Sequence, residues 1–348
     1  MKKSIQGRGA LSNPNHKFSK YTYDEDPLIN EDDTYIKTKY IETESKSVIN
    51  KVDSPDVPMD YSLNPYQGCE HGCIYCYARN THPYWGYSAG VDFESRIIVK
   101  LNAPKLLEAK LKSKQWKARP IVLSGNTDCY QPAERKYKLT RKMLELFWKY
   151  RHPVGIITKN SLILRDYDII EKLQSEQLIH VSISLTSLDD AIRRKLEPRT
   201  ATAIQRMKAI EKLSKLRVPV NVMFAPIIPS INDHEIFDIV KVAAELGAHN
   251  CNYTFVRLNG DVGPLFEEWA AHHYPDRKDK IIGHIKNGHG GQLNDSRFKK
   301  RMRGEGNYAE NIRQQFKLAK AKYFPKVESI AYNLDLYEQF KHPQLKLF

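Results

Sequence analysis

Three of the five cysteines in this 348-residue chain fall within eight residues. They stand in Asn64-Pro65-Tyr66-Gln67-Gly68-Cys69-Glu70-His71-Gly72-Cys73-Ile74-Tyr75-Cys76-Tyr77, a C-x3-C-x2-C spacing. Thiolates are the ligands of iron–sulfur clusters, and so short a spacing lets one loop grip three corners of a cube. A four-iron cluster held by three cysteines keeps one iron open, and an open iron can bind a substrate or cofactor directly. Gly68 and Gly72 let the backbone curl tightly around such a group. A zinc ion is the competing reading, but it needs four ligands and no second cysteine pair completes the set. His71 lies too close in sequence to serve easily as a fourth ligand. A redox C-x-x-C pair leaves Cys69 unexplained, and chance grouping is the remaining alternative.

Such a loop needs a rigid frame. Strand-like apolar or β-branched runs occur at Met59–Leu63, Ile121–Ser124, Val154–Thr158, Ile179–Leu185, Val218–Phe224 and Asn252–Val256. Helix-like segments lie between the later ones, at Ala133–Lys149, Tyr167–Leu173, Ala203–Leu216 and His234–Leu246. In the first of these Leu139, Met143, Leu146 and Phe147 share one face. A further strand at Arg96–Lys100 and a helix at Ala103–Leu111 are inserted after the first strand. Alternation of this kind implies parallel strands joined by right-handed crossovers, as an open partial barrel or a doubly wound sheet. Either architecture binds ligands at the C-terminal strand ends, and the polar motifs do follow strands. Ser124-Gly125-Asn126-Thr127-Asp128 follows the second and Thr158-Lys159-Asn160 the third. In the fourth, Ser182, Ser184 and Thr186 alternate with apolar residues, so one face is hydroxylic. The competing readings are a helix cap for Asp128, a surface position for Lys159 and an ordinary half-polar strand for Ser184.

Composition bounds the rest. With 41% hydrophobic residues the chain can build a substantial core, which excludes global disorder. No run is long and apolar enough for a transmembrane helix, and the N-terminus does not read as a secretory signal. Few cysteines, clustered, point to a reducing cytoplasm. The expected division is a polar N-terminal arm (1–55), a barrel (56–257) and a C-terminal extension (258–348) covering the barrel mouth or one side. The formal net charge is +14, and nine of those charges fall in residues 277–322. There Phe298, Tyr308 and Phe316 lie among the basic residues. That mixture suits a phosphate backbone, with a solvated basic face as the plain alternative.

The loop C-x3-C-x-Tyr-Cys resembles the signature of the radical S-adenosylmethionine superfamily, and Cys-Tyr77 resembles its spore photoproduct lyase and DNA-repair photolyase-like branch. The wider pattern is similar to a bacterial group within that branch. It includes Thr127-Asp128-Cys129-Tyr130-Gln131-Pro132-Ala133-Glu134, Thr158-Lys159-Asn160, Leu196-Glu197-Pro198-Arg199-Thr200, Ala225-Pro226-Ile227-Ile228-Pro229, Gly290-Gly291 and Arg301-Met302-Arg303-Gly304-Glu305-Gly306, and spans roughly residues 60–320. The resemblance implies an α/β fold, a partial (β/α)6 TIM-like barrel. It also implies a 4Fe-4S cluster on Cys69, Cys73 and Cys76, and S-adenosyl-L-methionine held by Tyr75, Thr127, Asp128, Lys159 and Ser184. A 5′-deoxyadenosyl radical would then abstract hydrogen from a substrate, with Tyr77 stacking or relaying a hydrogen atom. Cys129 is a candidate hydrogen-atom donor, with inert core packing as the safer reading. In the lyase branch the corresponding cysteine precedes the hydroxyl–Asp pair, where this chain has Gly125 and Asn126. The expected partners are an electron donor such as flavodoxin or ferredoxin and, from the basic segment, nucleic acid. The rival class is an iron–sulfur nucleic-acid-binding or redox-sensing protein without radical catalysis.

Overall fold

A computed structural model describes residues 5–15, 18 and 35–341. Ten strands are present among them: β1 (Lys39–Thr43), β2 (Ile49–Lys51), β3 (Tyr61–Leu63), β4 (Tyr66–Gln67), β5 (Arg96–Lys100), β6 (Ile121–Leu123), β7 (Val154–Thr158), β8 (Ile179–Ser184), β9 (Val220–Ile227) and β10 (Asn250–Phe255). The main sheet runs β10-β9-β8-β7-β6-β3-β2. Its first six members are parallel; β2 pairs antiparallel to β3. Neighbours in space follow chain order, so the sheet never reverses as a doubly wound one must. This is the expected six-stranded partial barrel. In the smaller sheet, β1-β5-β4, β5 pairs parallel to β1 and antiparallel to β4, which opens the cysteine loop.

Period-two alternation aims Ile179, Val181 and Ile183 of β8 and Val220, Val222 and Phe224 of β9 into the shell of helices, where all six are buried. Met143, Leu144 and Phe147 of the helix Leu139–Lys149 pack into the same core. Truncating Phe147 to Ala would cost about 3–5 kcal/mol. The single helix expected over Ala133–Lys149 is two, Glu134–Tyr137 and Leu139–Lys149, because Lys138 turns left-handed (φ 52°). The break is stabilised from within. The buried Glu134 carboxylate accepts the first free amide of the second helix, Thr140 N–H, at 3.0 Å. A reciprocal Thr202/Gln205 capping box opens the helix Ala203–Lys215.

Both flanking segments pack on the barrel. The polar N-terminal stretch is not all arm, since it contributes β1 and β2 and packs residues 8–11 into the interior. The C-terminal extension reaches well beyond the mouth. Its helix Gly306–Tyr323 buries Ala309, Ile312, Phe316 and Ala319 and lies against the helix Ile236–Glu245. The chain then turns under the opposite, N-terminal end of the barrel. There the Tyr332 ring stacks on His180 with centroids 3.8 Å apart, and Asn333 N–H donates to Gln177 O at 3.0 Å. A Cβ on Gly155 would stand 3.3 Å from the Tyr332 hydroxyl, so glycine in β7 makes room for this plug.

Candidate active site at the strand ends

The cysteine loop leaves β3 at the C-terminal end of the barrel. Cys69, Cys73 and Cys76 all carry free thiols. Gly68 (φ 77°) and Gly72 (φ 68°) adopt the left-handed conformation that glycine enters without strain. Neither site has room for a side chain: a Cβ on Gly68 would meet two backbone carbonyls at 2.9 Å, and one on Gly72 the Glu94 carboxylate at 2.8 Å.

The loop is gripped from beneath by a buried ion pair, Arg79–Glu94, with both side chains wholly enclosed. The Arg79 guanidinium donates to the Cys73 carbonyl at 3.0 Å, to Gly72 O at 3.3 Å, and to Ala89 O and Gly90 O at 3.1 and 3.0 Å. Glu94 also accepts Gly9 N–H at 2.8 Å and Ala10 N–H at 2.9 Å. The N-terminal segment is thereby docked on the loop, with Gly9 so close that a Cβ there would stand 1.9 Å from Gly72 O.

A second buried network lies on the barrel side. The Tyr75 hydroxyl donates to Glu197, which also accepts from Thr186 Oγ1 at 2.7 Å and from Arg206 Nη2 at 2.5 Å. Burial alone would raise the Glu197 carboxyl, but the positive charges of Arg206 and Lys159 bring it down to about 2. For Lys159, burial would favour the neutral amine; the neighbouring Cys73 and Glu197 outweigh it and hold the ammonium charged. Arg199 ties the same strand-following turn to the loop, with Nη2 3.4 Å from Glu70 Oε1 and its N–H on His71 O at 3.3 Å. Glu197-Pro198-Arg199 therefore braces the cysteine loop at two points.

The remaining expected contacts divide. Asp128 is not a free acceptor facing the mouth. Oδ1 accepts from Thr158 Oγ1 and Tyr130 N–H, both at 2.8 Å; Oδ2 accepts Lys159 N–H at 2.8 Å and lies 3.3 Å from His71 Nδ1. Its lone pairs are occupied, so it is a strut between two strand ends and the loop. Leu162 N–H on Asn160 Oδ1 orients that amide, which puts its Nδ2 3.1 Å from His71 Nε2. The Thr127 hydroxyl donates to Tyr66 O at 2.6 Å and is likewise turned inward. Ser184 ends β8, buried, with its carbonyl on Arg206. Tyr77 is 44% exposed and donates its hydroxyl to Gly125 O. Cys129 is fully enclosed in the core, its N–H on Ser124 Oγ and its carbonyl on Thr140. Burial pushes its thiol well up. This packing favours inert core filling over the hydrogen-donor reading: a thiol must reach a substrate carbon to serve it, and here core atoms surround it.

The thiols suit an iron–sulfur cluster. Burial pushes Cys73 and Cys76 up, the Glu197 carboxylate adds to this at Cys73 and the neighbouring thiols at both, and iron binding would reverse it by displacing the protons. Among the described residues no three His, Cys, Asp or Glu side chains converge as the ligands of one ion. The sequence profile of the radical SAM superfamily matches residues 63–243. The chain belongs to this superfamily. It is therefore a radical SAM enzyme, with an iron–sulfur cluster and S-adenosylmethionine as its cofactors. Uncharacterised proteins of Mycobacterium tuberculosis are 31% identical over 234 residues, 66% of this chain and 69% of theirs. One from Methanocaldococcus jannaschii is 29% identical over 245 residues, 70% of this chain and 87% of that protein. Spore photoproduct lyase complexed with dinucleoside spore photoproduct superimposes with a TM-score of 0.59 at 15% identity, over 82% of this chain and 80% of that one. That likeness is one of fold. No described helix is long and apolar enough to cross a membrane.

Arg79, Glu94, Gly9 and Arg206 were not assigned to the site by sequence reasoning. The available signals were weak: two glycines in Gly7-Arg8-Gly9 and a charged pair around Pro198.

Proposed function

We propose that Cys69, Cys73 and Cys76 hold a 4Fe-4S cluster with one open iron, and that the enzyme uses it to open S-adenosylmethionine for hydrogen abstraction from a nucleic-acid substrate. The observation that carries this reading is the trio of unbridged thiols on a glycine-hinged loop at the C-terminal strand ends, with the Lys159 ammonium beside two of them. When bound, the reduced cluster and the sulfonium supply the one-electron chemistry that yields a 5′-deoxyadenosyl radical. This chain's residues hold and orient. In this reading Lys159 pairs with the cofactor's carboxylate, and Ser184 offers a hydroxyl at the lumen. Tyr75, tied to Glu197, stiffens the loop between the second and third cysteines. Asp128 and Thr127 act indirectly, by fixing the strand ends. Tyr77, beside Cys76 and exposed at the mouth, is the aromatic that meets the substrate.

Support for a nucleic-acid substrate is the basic segment, although Arg297, Lys300 and Arg301 there are already paired with Asp295, Glu305 and Asp56. A flavodoxin or ferredoxin as reductant and a cytoplasmic location complete the reading. The test is 5′-deoxyadenosine formation by the anaerobically reconstituted, reduced enzyme with DNA, RNA, heparin or no polyanion at two salt concentrations. Stimulation by DNA or RNA and not by heparin is the expected result. Equal turnover in all four removes nucleic acid as the substrate.

A further inference from the structure

We propose that Arg257 is the substrate anchor of this site, binding a phosphate group of the substrate at the barrel mouth. The inference rests on the radical-enzyme reading above and names the group its substrate must carry.

Arg257 follows β10 by two residues and so lies at the C-terminal strand ends. Its guanidinium stands over the Tyr77 ring, 5.9 Å from the centroid, and Tyr77 adjoins Cys76. The other arginines around the site spend their donors on the fold, as Arg79 does on four carbonyls and Glu94, and Arg206 on Glu197, Ser184 O and Ala201 O. Among the described residues Arg257 makes no ion pair and donates no hydrogen bond. The carboxylate whose charge reaches it, Asp56, is already held by Arg301 Nε at 2.6 Å and by Lys299 N–H at 2.6 Å. Arg301 itself is close enough for the two positive charges to oppose each other, and burial adds to the cost of the Arg257 charge. A half-buried guanidinium of this kind is expensive unless an anion completes it.

The backbone around it is fixed beforehand. Val256 O accepts from His289 Nε2 at 2.7 Å and Leu258 N–H donates to Leu293 O at 2.9 Å. Asn80, three residues beyond Tyr77, donates to Asn259 O at 2.8 Å and accepts Asp261 N–H at 2.9 Å. The segment is thus latched to the chain that carries the cluster cysteines, and the guanidinium is held where its donors are unspent. An unspent guanidinium fork with no acid of its own favours a phosphate, whose several oxygens can accept from more than one of its donors. A phosphodiester of a polynucleotide and a free phosphate ester present the same chemistry.

The test uses the reconstituted holoenzyme and follows binding of inorganic pyrophosphate and of a single-stranded hexadeoxynucleotide, with thymidine as the uncharged comparison. The expected results are binding of at least one of the two phosphate probes, none of thymidine, and a loss of about tenfold or more in Arg257→Gln. Arg257→Lys recovers only part, because the fork is lost. Lys326→Gln, on the exposed C-terminal turn, retains wild-type affinity. Tight hexanucleotide with weak pyrophosphate binding points to a polynucleotide; equal affinities point to a small phosphate ester. Iron content equal to wild type shows that the variants are folded. Wild-type affinity in Arg257→Gln, or no binding of either phosphate by the wild type, overturns the inference. Neither result touches the radical-enzyme reading, which fails instead if the reduced wild type forms no 5′-deoxyadenosine.

Discussion

Replacing Arg79 by Met removes the clamp beneath the cysteine loop while keeping most of its volume. The variant leaves Glu94 buried with only the Gly9 and Ala10 amides for its charge. It also leaves the carbonyls of Gly72, Cys73, Ala89 and Gly90 without their donor. Breaking a buried ion pair from one side costs about 3–5 kcal/mol. Each unsatisfied carbonyl adds up to about 1 kcal/mol, without full additivity. A destabilisation of about 4 kcal/mol is expected, concentrated at the loop. The assay is anaerobic urea unfolding of the iron-free protein, together with iron content after reconstitution and gel filtration. Adding Glu94→Gln removes the stranded charge and should recover part of the loss. A change below about 1 kcal/mol with wild-type iron content would refute the claim that this pair holds the loop in place.

Gly9→Ala sets a Cβ 1.9 Å from Gly72 O, so it should undock the N-terminal segment and lower iron retention, measured as iron per chain. Asp128→Asn and Lys159→Met should separate two roles. The first weakens the strut to His71 and the strand ends and lowers iron content as well as cofactor affinity; the second lowers S-adenosylmethionine affinity about tenfold or more and spares iron. Equilibrium dialysis with iron analysis reads both. Buried His152, whose Nε2 accepts from Trp116 Nε1 at 3.0 Å, is held down to about 3 by burial. Above about pH 6.5 both states are neutral and pH has no effect through this group. Below it the unfolded chain takes the proton first, so stability falls by about 1.4 kcal/mol per pH unit as the pH drops toward 3. His152→Phe should flatten that part of the stability–pH curve in urea titrations.

The barrel was legible because its strands are contiguous apolar runs and its helices carry regular faces. Strand order followed from chain order once the sheet was seen not to reverse. The cysteine loop was legible because its ligands are adjacent in sequence. What escaped was what brings distant residues together. Glu94 lies 85 residues from Gly9, and no local pattern marks either as a partner of the loop. Asp128 has the residue type of a cofactor contact, but only its three-dimensional neighbours reveal that its oxygens are already engaged. Lys138 looked helical in a good amphipathic run; the break there depends on Glu134 reaching Thr140. Tyr332 occupies an unremarkable polar tail, and its place beneath β7 and β8 depends on the missing side chain of Gly155.

The central claim is that Cys69, Cys73 and Cys76 carry a radical-generating four-iron cluster. It is tested most directly by anaerobic reconstitution, dithionite reduction and measurement of 5′-deoxyadenosine from S-adenosylmethionine, with iron counted on the same sample. The account predicts about four irons per chain, 5′-deoxyadenosine from the wild type, and neither from the variant with all three cysteines replaced by alanine. Iron and 5′-deoxyadenosine persisting in that variant, or a fully loaded wild type that forms none, would contradict it.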